Sequence, residues 1–202
     1  MTVRAVYFDM GGVIIRSEFQ APRERLAERL NMTYEDLVGL VFDNETARRA
    51  SLGETSAQEH WASLTRSLGL PASEQKALSD EFFAGDILDR SLLDYVRLLR
   101  PQYKTGLISN AWSDLREYIV EQKFDDAFDT MVISAEVGIM KPDARIFRIA
   151  LENLGVAPGE AVFLDDFGEN IESARAIGMH AIHFVQPDEA LKELKQLLAN
   201  HK

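Results

Sequence analysis

Five short apolar runs restrict the fold of this chain more than any other feature. They cover residues 3–8, 105–109, 130–134, 161–164 and 180–185. Each has the length of a strand, and Val, Ile and Phe recur in them. Most are continuously apolar rather than alternating, as befits strands of a parallel sheet covered on both faces. Helical spacing follows each of the last four runs, at 112–122, 144–154, 170–177 and 188–199. In the second of these, Ile146, Phe147, Ala150, Leu151 and Leu154 fall on one face. The alternation predicts an α/β fold: a doubly wound parallel sheet of at least five strands with right-handed crossovers.

Residues 17–88 break that rhythm. They show helical spacing and no clear strand, which predicts an insert of about four helices. Ser56 followed by Glu59 reads as a capping box opening a helix through Leu68. Gly53 and the Gly69-Leu70-Pro71 break separate helices. The expected organisation is a core of residues 1–16 and 89–202 with a helical subdomain of residues 17–88. That subdomain either stabilises the core or forms a lid over it.

Composition narrows the function. The chain of 202 residues has no cysteine, so disulfides, thiolate metal sites and cysteine nucleophiles are excluded. Its net charge of −11 disfavours nucleic acid and anionic membranes as partners. No stretch reaches the roughly 18–20 apolar residues of a membrane helix. The apolar start at residues 5–15 contains Asp9 and lacks a small-residue cleavage site, so a cytoplasmic location is expected.

Open parallel sheets bind ligands at the carboxyl ends of their strands. The residues just after the apolar runs are therefore the candidates. Asp9 and Gly11 follow the first. Ser109 ends the second, and Asn110 follows it. Lys141 lies a few residues beyond the third, and Asp165 and Asp166 follow the fourth. A lone aspartate at a strand end is ordinarily a turn or cap residue. Three aspartates, a lysine and a hydroxyl at corresponding ends form a chemical set. Close carboxylates repel, and a divalent cation relieves that repulsion. Oxygen ligands completed by water suit Mg²⁺. Lys141 can hold a phosphate, while Ser109 and backbone amides near Gly11 and Asn110 can donate to its oxygens. An ionised aspartate can attack phosphorus and form an aspartyl-phosphate.

The segments Phe8-Asp9-Met10-Gly11-Gly12-Val13, Ile108-Ser109-Asn110, Lys141-Pro142-Asp143 and Phe163-Leu164-Asp165-Asp166 resemble, in order and spacing, the four motifs of the haloacid dehalogenase superfamily. The insert after the first motif resembles its helical cap. The Met140-Lys141-Pro142-Asp143 and Gly53-Glu54-Thr55-Ser56 contexts are similar to the sugar-1-phosphate phosphatase-like branch. The resemblance implies strand order 5-4-1-2-3, counting the five runs, and a Mg²⁺-dependent phosphatase acting on a small phosphorylated metabolite as a monomer or small homo-oligomer. Asp9 would be the nucleophile and a metal ligand. The Gly11 carbonyl and Asp166 would bind the metal, with Asp165 as ligand or supporting partner. Ser109 and Asn110 would bind phosphate, and Lys141 would clamp it.

One departure matters. Phosphatases of this superfamily carry a second aspartate, the general acid, where this chain has Gly11. Its loss is worth about 10²–10⁴-fold in rate. Three explanations stand: a leaving group that needs little protonation, such as a sugar's anomeric oxygen; a substitute acid from the cap or from water; or a weakly active or non-catalytic metabolite-binding protein. A 2-haloacid dehalogenase is the weaker alternative. It needs no metal, Asp165-Asp166 would repel its anionic substrate, and the resembling dehalogenases have a tyrosine where Gly11 sits. Trp112 suits either the substrate entrance or helix packing. Phe42 and Trp61 are read as packing, and His60, His180 and His183 as structural or surface residues.

Overall fold

The computed structural model describes residues 2–200. Residues 1, 201 and 202, at the ends of the expected core, lie outside the described residues. The chain begins with β1 (Ala5–Phe8) and β2 (Ile15–Ser17). The helices α1 (Ala21–Arg29), α2 (Tyr34–Phe42), α3 (Glu45–Ser51), α4 (Ala57–Ser67) and α5 (Gln75–Phe83) follow. Next come β3 (Asp86–Leu88), α6 (Arg90–Leu99), β4 (Lys104–Ser109) and α7 (Leu115–Glu121). Then β5 (Thr130–Ile133), α8 (Ser134–Val137) and α9 (Ala144–Leu154) lead to β6 (Ala161–Asp165). The end of the chain holds α10 (Gly168–Ala176), β7 (His180–His183) and α11 (Pro187–Asn200).

All five apolar runs are strands of one parallel sheet, ordered β5-β4-β1-β6-β7. This is the expected order read from the other edge. Burial on both faces explains the continuous runs. Val6 and Phe8 of β1 face a layer that includes Leu92, Leu93 and Val96 of α6 and Leu194 of α11. Ala5 and Tyr7 face the opposite layer, with Phe147 and Ala150 of α9 and Ile171 of α10. The Tyr7 hydroxyl donates to the Ala150 carbonyl at 2.7 Å, so this buried polar atom is satisfied. Its ring also dictates the residue beside it. A Cβ at position 106 would lie 2.4 Å from the ring, and position 106 is glycine.

Helix α9 starts where Asp143 accepts a hydrogen bond from the Arg145 backbone at 2.9 Å. It stops at Gly155, whose φ of 61° is left-handed. The five apolar residues of its predicted face, Ile146, Phe147, Ala150, Leu151 and Leu154, are all buried, at roughly 1.5–3 kcal/mol for each large side chain.

The stretch from α1 to α5 packs around its own apolar cluster, which includes Leu26, Leu37, Trp61, Leu64 and Phe82. The Ser56–Glu59 capping box is present at the start of α4. Two expectations need correction. The stretch holds five α-helices rather than about four, because the weakly amphipathic α1 and the seven-residue α3 give faint periodic signals. It also contains a strand: β3 pairs antiparallel with β2, Ile15 opposite Leu88. Three residues are too few to write an alternating pattern, and the partner is remote in sequence. The paired segments are braced by Arg23, whose guanidinium donates to both oxygens of Asp86 at 2.8 and 2.9 Å. No helix among the described residues is long and apolar enough to cross a membrane.

Candidate active site

The parallel register brings the candidate residues to one edge of the sheet. Phe8 lies opposite Leu107 on one side and Leu164 on the other. One residue further on, Asp9 emerges between the ends of β4 and β6, and its backbone N–H donates to the Leu164 carbonyl at 2.9 Å. Asp165 ends β6, and Ser109 ends β4. The carboxylates of Asp9, Asp165 and Asp166 each offer an oxygen within 4.8 Å of the others.

Lys141 joins them from the loop before α9. Its ammonium stands 2.8 Å from Asp9 Oδ1 and 2.6 Å from Asp165 Oδ2, and its side chain is 1% exposed. The lysine is held by its backbone. Asn110 Nδ2 donates to the Lys141 carbonyl at 2.9 Å, and the Lys141 N–H donates to Asn110 Oδ1 at 2.7 Å. The Asn110 side chain thus fixes the backbone of Lys141. Ser109 is buried beside it.

The carboxylates differ in their surroundings. Asp165 accepts from the Lys141 ammonium, from the Phe167 N–H at 2.7 Å and from Asn170 Nδ2 at 3.0 Å to each oxygen. Both its oxygens are engaged by protein donors. Asp9 Oδ1 accepts from the Met10 N–H at 2.7 Å as well as from Lys141. Burial raises the Asp9 pKa to about 7, with Lys141 lowering and Asp165 raising it. Burial, helped by the Asp165 charge, raises Asp166 to about 6. Asp166 Oδ1 is buried with no hydrogen-bond partner. Such an orphaned acceptor is costly unless something fills the place of a donor. The trio therefore fits a hard divalent cation.

The two glycines after Asp9 have different reasons. Gly12 has a φ of 70°, and a Cβ there would lie 2.1 Å from the Asp166 carboxyl carbon. Gly11 is exposed, and a Cβ there would meet nothing within 4 Å. A side chain could be held at position 11; the chain does without one.

Two supporting residues escaped the sequence reading. Asn170 is buried and orients Asp165; its signal is an amide in the first turn after a strand-end carboxylate pair. Ser134 Oγ accepts from the Ala111 N–H at 3.0 Å and donates to its carbonyl at 3.1 Å, fixing the loop behind Ser109. Its signal is a hydroxyl ending the third run. His60 lies away from the trio, buried in the insert against Thr46 and the Val41 carbonyl. His183 Nε2 meets the Asp166 carbonyl at 2.8 Å.

The strand order, the helices behind the first strand and the acidic edge set the class: an α/β protein with its charged groups gathered at the carboxyl ends of a parallel sheet. The sequence profile of the haloacid dehalogenase-like hydrolases matches residues 3–178, and the chain belongs to that family. It is 26% identical over 217 residues to the bifunctional epoxide hydrolase 2 of Rattus norvegicus, covering 98% of this chain and 39% of that protein. The chain thus spans about two fifths of the length of the bifunctional epoxide hydrolases it matches. It is 27% identical over 202 residues to the sesquiterpene phosphatase astK of Aspergillus oryzae, covering 98% and 97% of the two chains. A HAD-like family hydrolase from Porphyromonas gingivalis shares the fold with a TM-score of 0.81 at 24% identity, over 98% of both chains. A Bacteroides thetaiotaomicron HAD family enzyme, solved with magnesium and inorganic phosphate, shares it with a TM-score of 0.76 at 20% identity, over 90% of this chain and 93% of that one.

Proposed function

We propose that this hydrolase is a Mg²⁺-dependent phosphatase that cleaves small phosphate monoesters through an aspartyl-phosphate on Asp9. The observation that carries the reading is the cluster of Asp9, Asp165 and Asp166, with the Lys141 ammonium between Asp9 and Asp165 and a buried Asp166 oxygen left without a donor. The relative named as a sesquiterpene phosphatase and the neighbour solved with magnesium and phosphate support it. Asp9, Asp166 and the Gly11 carbonyl would hold the metal, with Asp165 supporting from behind because its oxygens already accept from Lys141 and Asn170. Bound magnesium supplies fixed positive charge beside the phosphoryl oxygens.

An oxygen of Asp9 attacks phosphorus in line, and the ester P–O bond breaks. Water then attacks the aspartyl-phosphate, freeing phosphate and Asp9. Lys141 holds the phosphoryl group, and Ser109 and the Asn110 backbone N–H donate to its oxygens. Residues 17–88 serve as a cap over the core of residues 1–16 and 89–202, excluding water and selecting the organic portion. The net charge of −11 suits neither nucleic acid nor an anionic membrane as partner; the cytoplasm is the proposed location.

Gly11 shapes the substrate range. With no general acid there, the departing oxygen must leave without a proton. Esters of weakly basic oxygens, including sugar 1-phosphates, aryl phosphates and acyl phosphates, suit the site better than alkyl phosphates. A phosphate-ester panel with and without Mg²⁺ tests this. Turnover should require the metal and fall steeply as the leaving group becomes more basic. Gly11→Asp, for which there is room, should raise alkyl phosphate turnover by at least about tenfold. Rates independent of leaving-group basicity would reject the leaving-group argument. Binding of esters without turnover would favour the non-catalytic metabolite-binding reading, which rests on the same glycine.

The raised carboxyls also give magnesium a pH signature. The pKa values of Asp9 and Asp166 lie above their ordinary range in the fold. The stability they contribute without metal is therefore complete below about pH 4 and lost as pH rises through 6 to 7. Magnesium binds the ionised carboxyls, so its stabilising effect grows over the same window. The rise in Tm on adding magnesium should be small at pH 5 and several degrees at pH 8. An equal rise at both would place the metal elsewhere.

A further inference from the structure

Phosphoryl transfer leaves one feature beside the crevice unused. Trp112 follows Ser109 by three residues, so their Cα atoms lie within about 11 Å of each other. The indole does not pack with the sheet layers; it joins the apolar cluster of the insert. Its ring centroid stands 5.9 Å from Phe42 and 6.5 Å from Phe83, and those two stand 6.4 Å apart. Phe42 and Phe83 are the last residues of α2 and α5. They converge on the one ring that the loop after Ser109 sends across. Yet they remain 44% and 36% exposed, while Phe82 beside them is fully buried. Packing alone accounts for Phe82. Phe42 and Phe83 pack against it at 5.5 and 5.1 Å, yet each leaves part of its ring open to solvent beside Trp112.

Charge and chemistry say what the rings accept. Lys141 is already shared by Asp9 and Asp165. Arg48 and Arg49, which follow Phe42 on α3, are paired with Glu45 and Glu54. A second anionic group on the substrate finds no matching cation among these residues. Position 11 offers no proton to the departing oxygen.

We infer that the organic part of the ester is an uncharged aromatic group seated against Phe42, Phe83 and Trp112. This rests on the phosphatase reading of the same site. As an oxygen of Asp9 bonds to phosphorus, the aryl P–O bond breaks and the phenolate leaves with the electron pair, taking its proton from water. A phenolic oxygen, with a pKa near roughly 10, needs no general acid where an alkoxide, nearer 16, does. The aromatic ring thus answers both the glycine and the wall of rings.

Binding to the Asp9→Asn protein, measured by calorimetry in magnesium, tests the inference without turnover. Phenyl phosphate and 1-naphthyl phosphate have similar leaving groups but different aromatic areas. The naphthyl ester should bind about tenfold more tightly than the phenyl ester, and glucose 1-phosphate more weakly than either. Phe42→Ala and Phe83→Ala should each weaken the naphthyl ester about five- to tenfold and inorganic phosphate less than about twofold. Equal affinity for the three esters overturns the inference. So does an equal loss for naphthyl ester and inorganic phosphate, which would give the rings a purely structural role. Wild-type protein that forms no phosphoenzyme from any ester defeats the phosphatase reading instead, and the binding comparison still decides the aromatic site.

Discussion

Asp9→Asn is expected to abolish phosphoenzyme formation and to cut turnover by roughly 10⁴- to 10⁶-fold, the scale seen when a covalent nucleophile is removed. A carboxamide oxygen carries no charge with which to attack phosphorus, and it is a weaker ligand for a hard cation. The fold should survive. The two side chains have nearly the same volume, and Lys141 keeps Asp165 at 2.6 Å. Two changes in stability oppose each other. The neutral amide escapes the burial cost that lifts the Asp9 pKa to about 7, but it gives up the attraction of the ammonium at 2.8 Å. The net change should stay within about 1 kcal/mol. Acid-quenched labelling with a radioactive phosphate ester reads the first effect, and urea unfolding the second. Labelled Asp9→Asn protein would move the nucleophile to another residue.

What could be read from the sequence, and what could not, follows from how far each signal reaches along the chain. The five strands were legible because burial on both faces leaves their central residues apolar, with polar residues near their ends. Asp9, Ser109 and Asp165 were legible for a related reason: a polar residue that ends an apolar run must lie at the rim of the sheet. The pairing of β2 with β3 was not, because three-residue strands carry no period and the partners Ile15 and Leu88 are remote in sequence. The role of Asn110 was only half legible. Its place after β4 was plain, but its side chain closes a two-bond clasp on the backbone of Lys141, which only tertiary structure brings near. Asn170 and Trp112 share this limit. One orients Asp165 from the next helix, and the other leaves the loop after Ser109 to pack in the insert. Side chains that act on other side chains leave no periodic trace.

Lys141→Ala should be the most damaging single truncation at this site. The ammonium is buried between Asp9 and Asp165, and removing one member of such a group leaves the others desolvated and uncompensated, at about 3–5 kcal/mol. Turnover should fall by about 10²–10³-fold as the clamp on the phosphoryl group is lost. The stability loss has a definite sign with pH. The Lys141 charge lowers the pKa of both Asp9 and Asp166, so without it both rise further above their ordinary range. Below about pH 4 these carboxyls are protonated in the folded and unfolded chains alike, and the variant should differ least from wild type. The unfolded chain ionises its carboxyls from about pH 4; the wild-type site follows through pH 6 to 7, while the variant's site resists to higher pH, so the deficit should grow above pH 6 and be large at pH 8. Magnesium should return part of that stability, because it replaces positive charge among the same carboxylates, but it should not restore the rate. Lys141→Met separates charge from packing, since it keeps an unbranched stem near the Phe163 ring, over which the ammonium sits at 5.2 Å. Urea midpoints at pH 5 and pH 8, with and without magnesium, distinguish these terms. Full activity in Lys141→Ala would mean that the ammonium between the carboxylates plays no part in the chemistry, and that the site has been put in the wrong place.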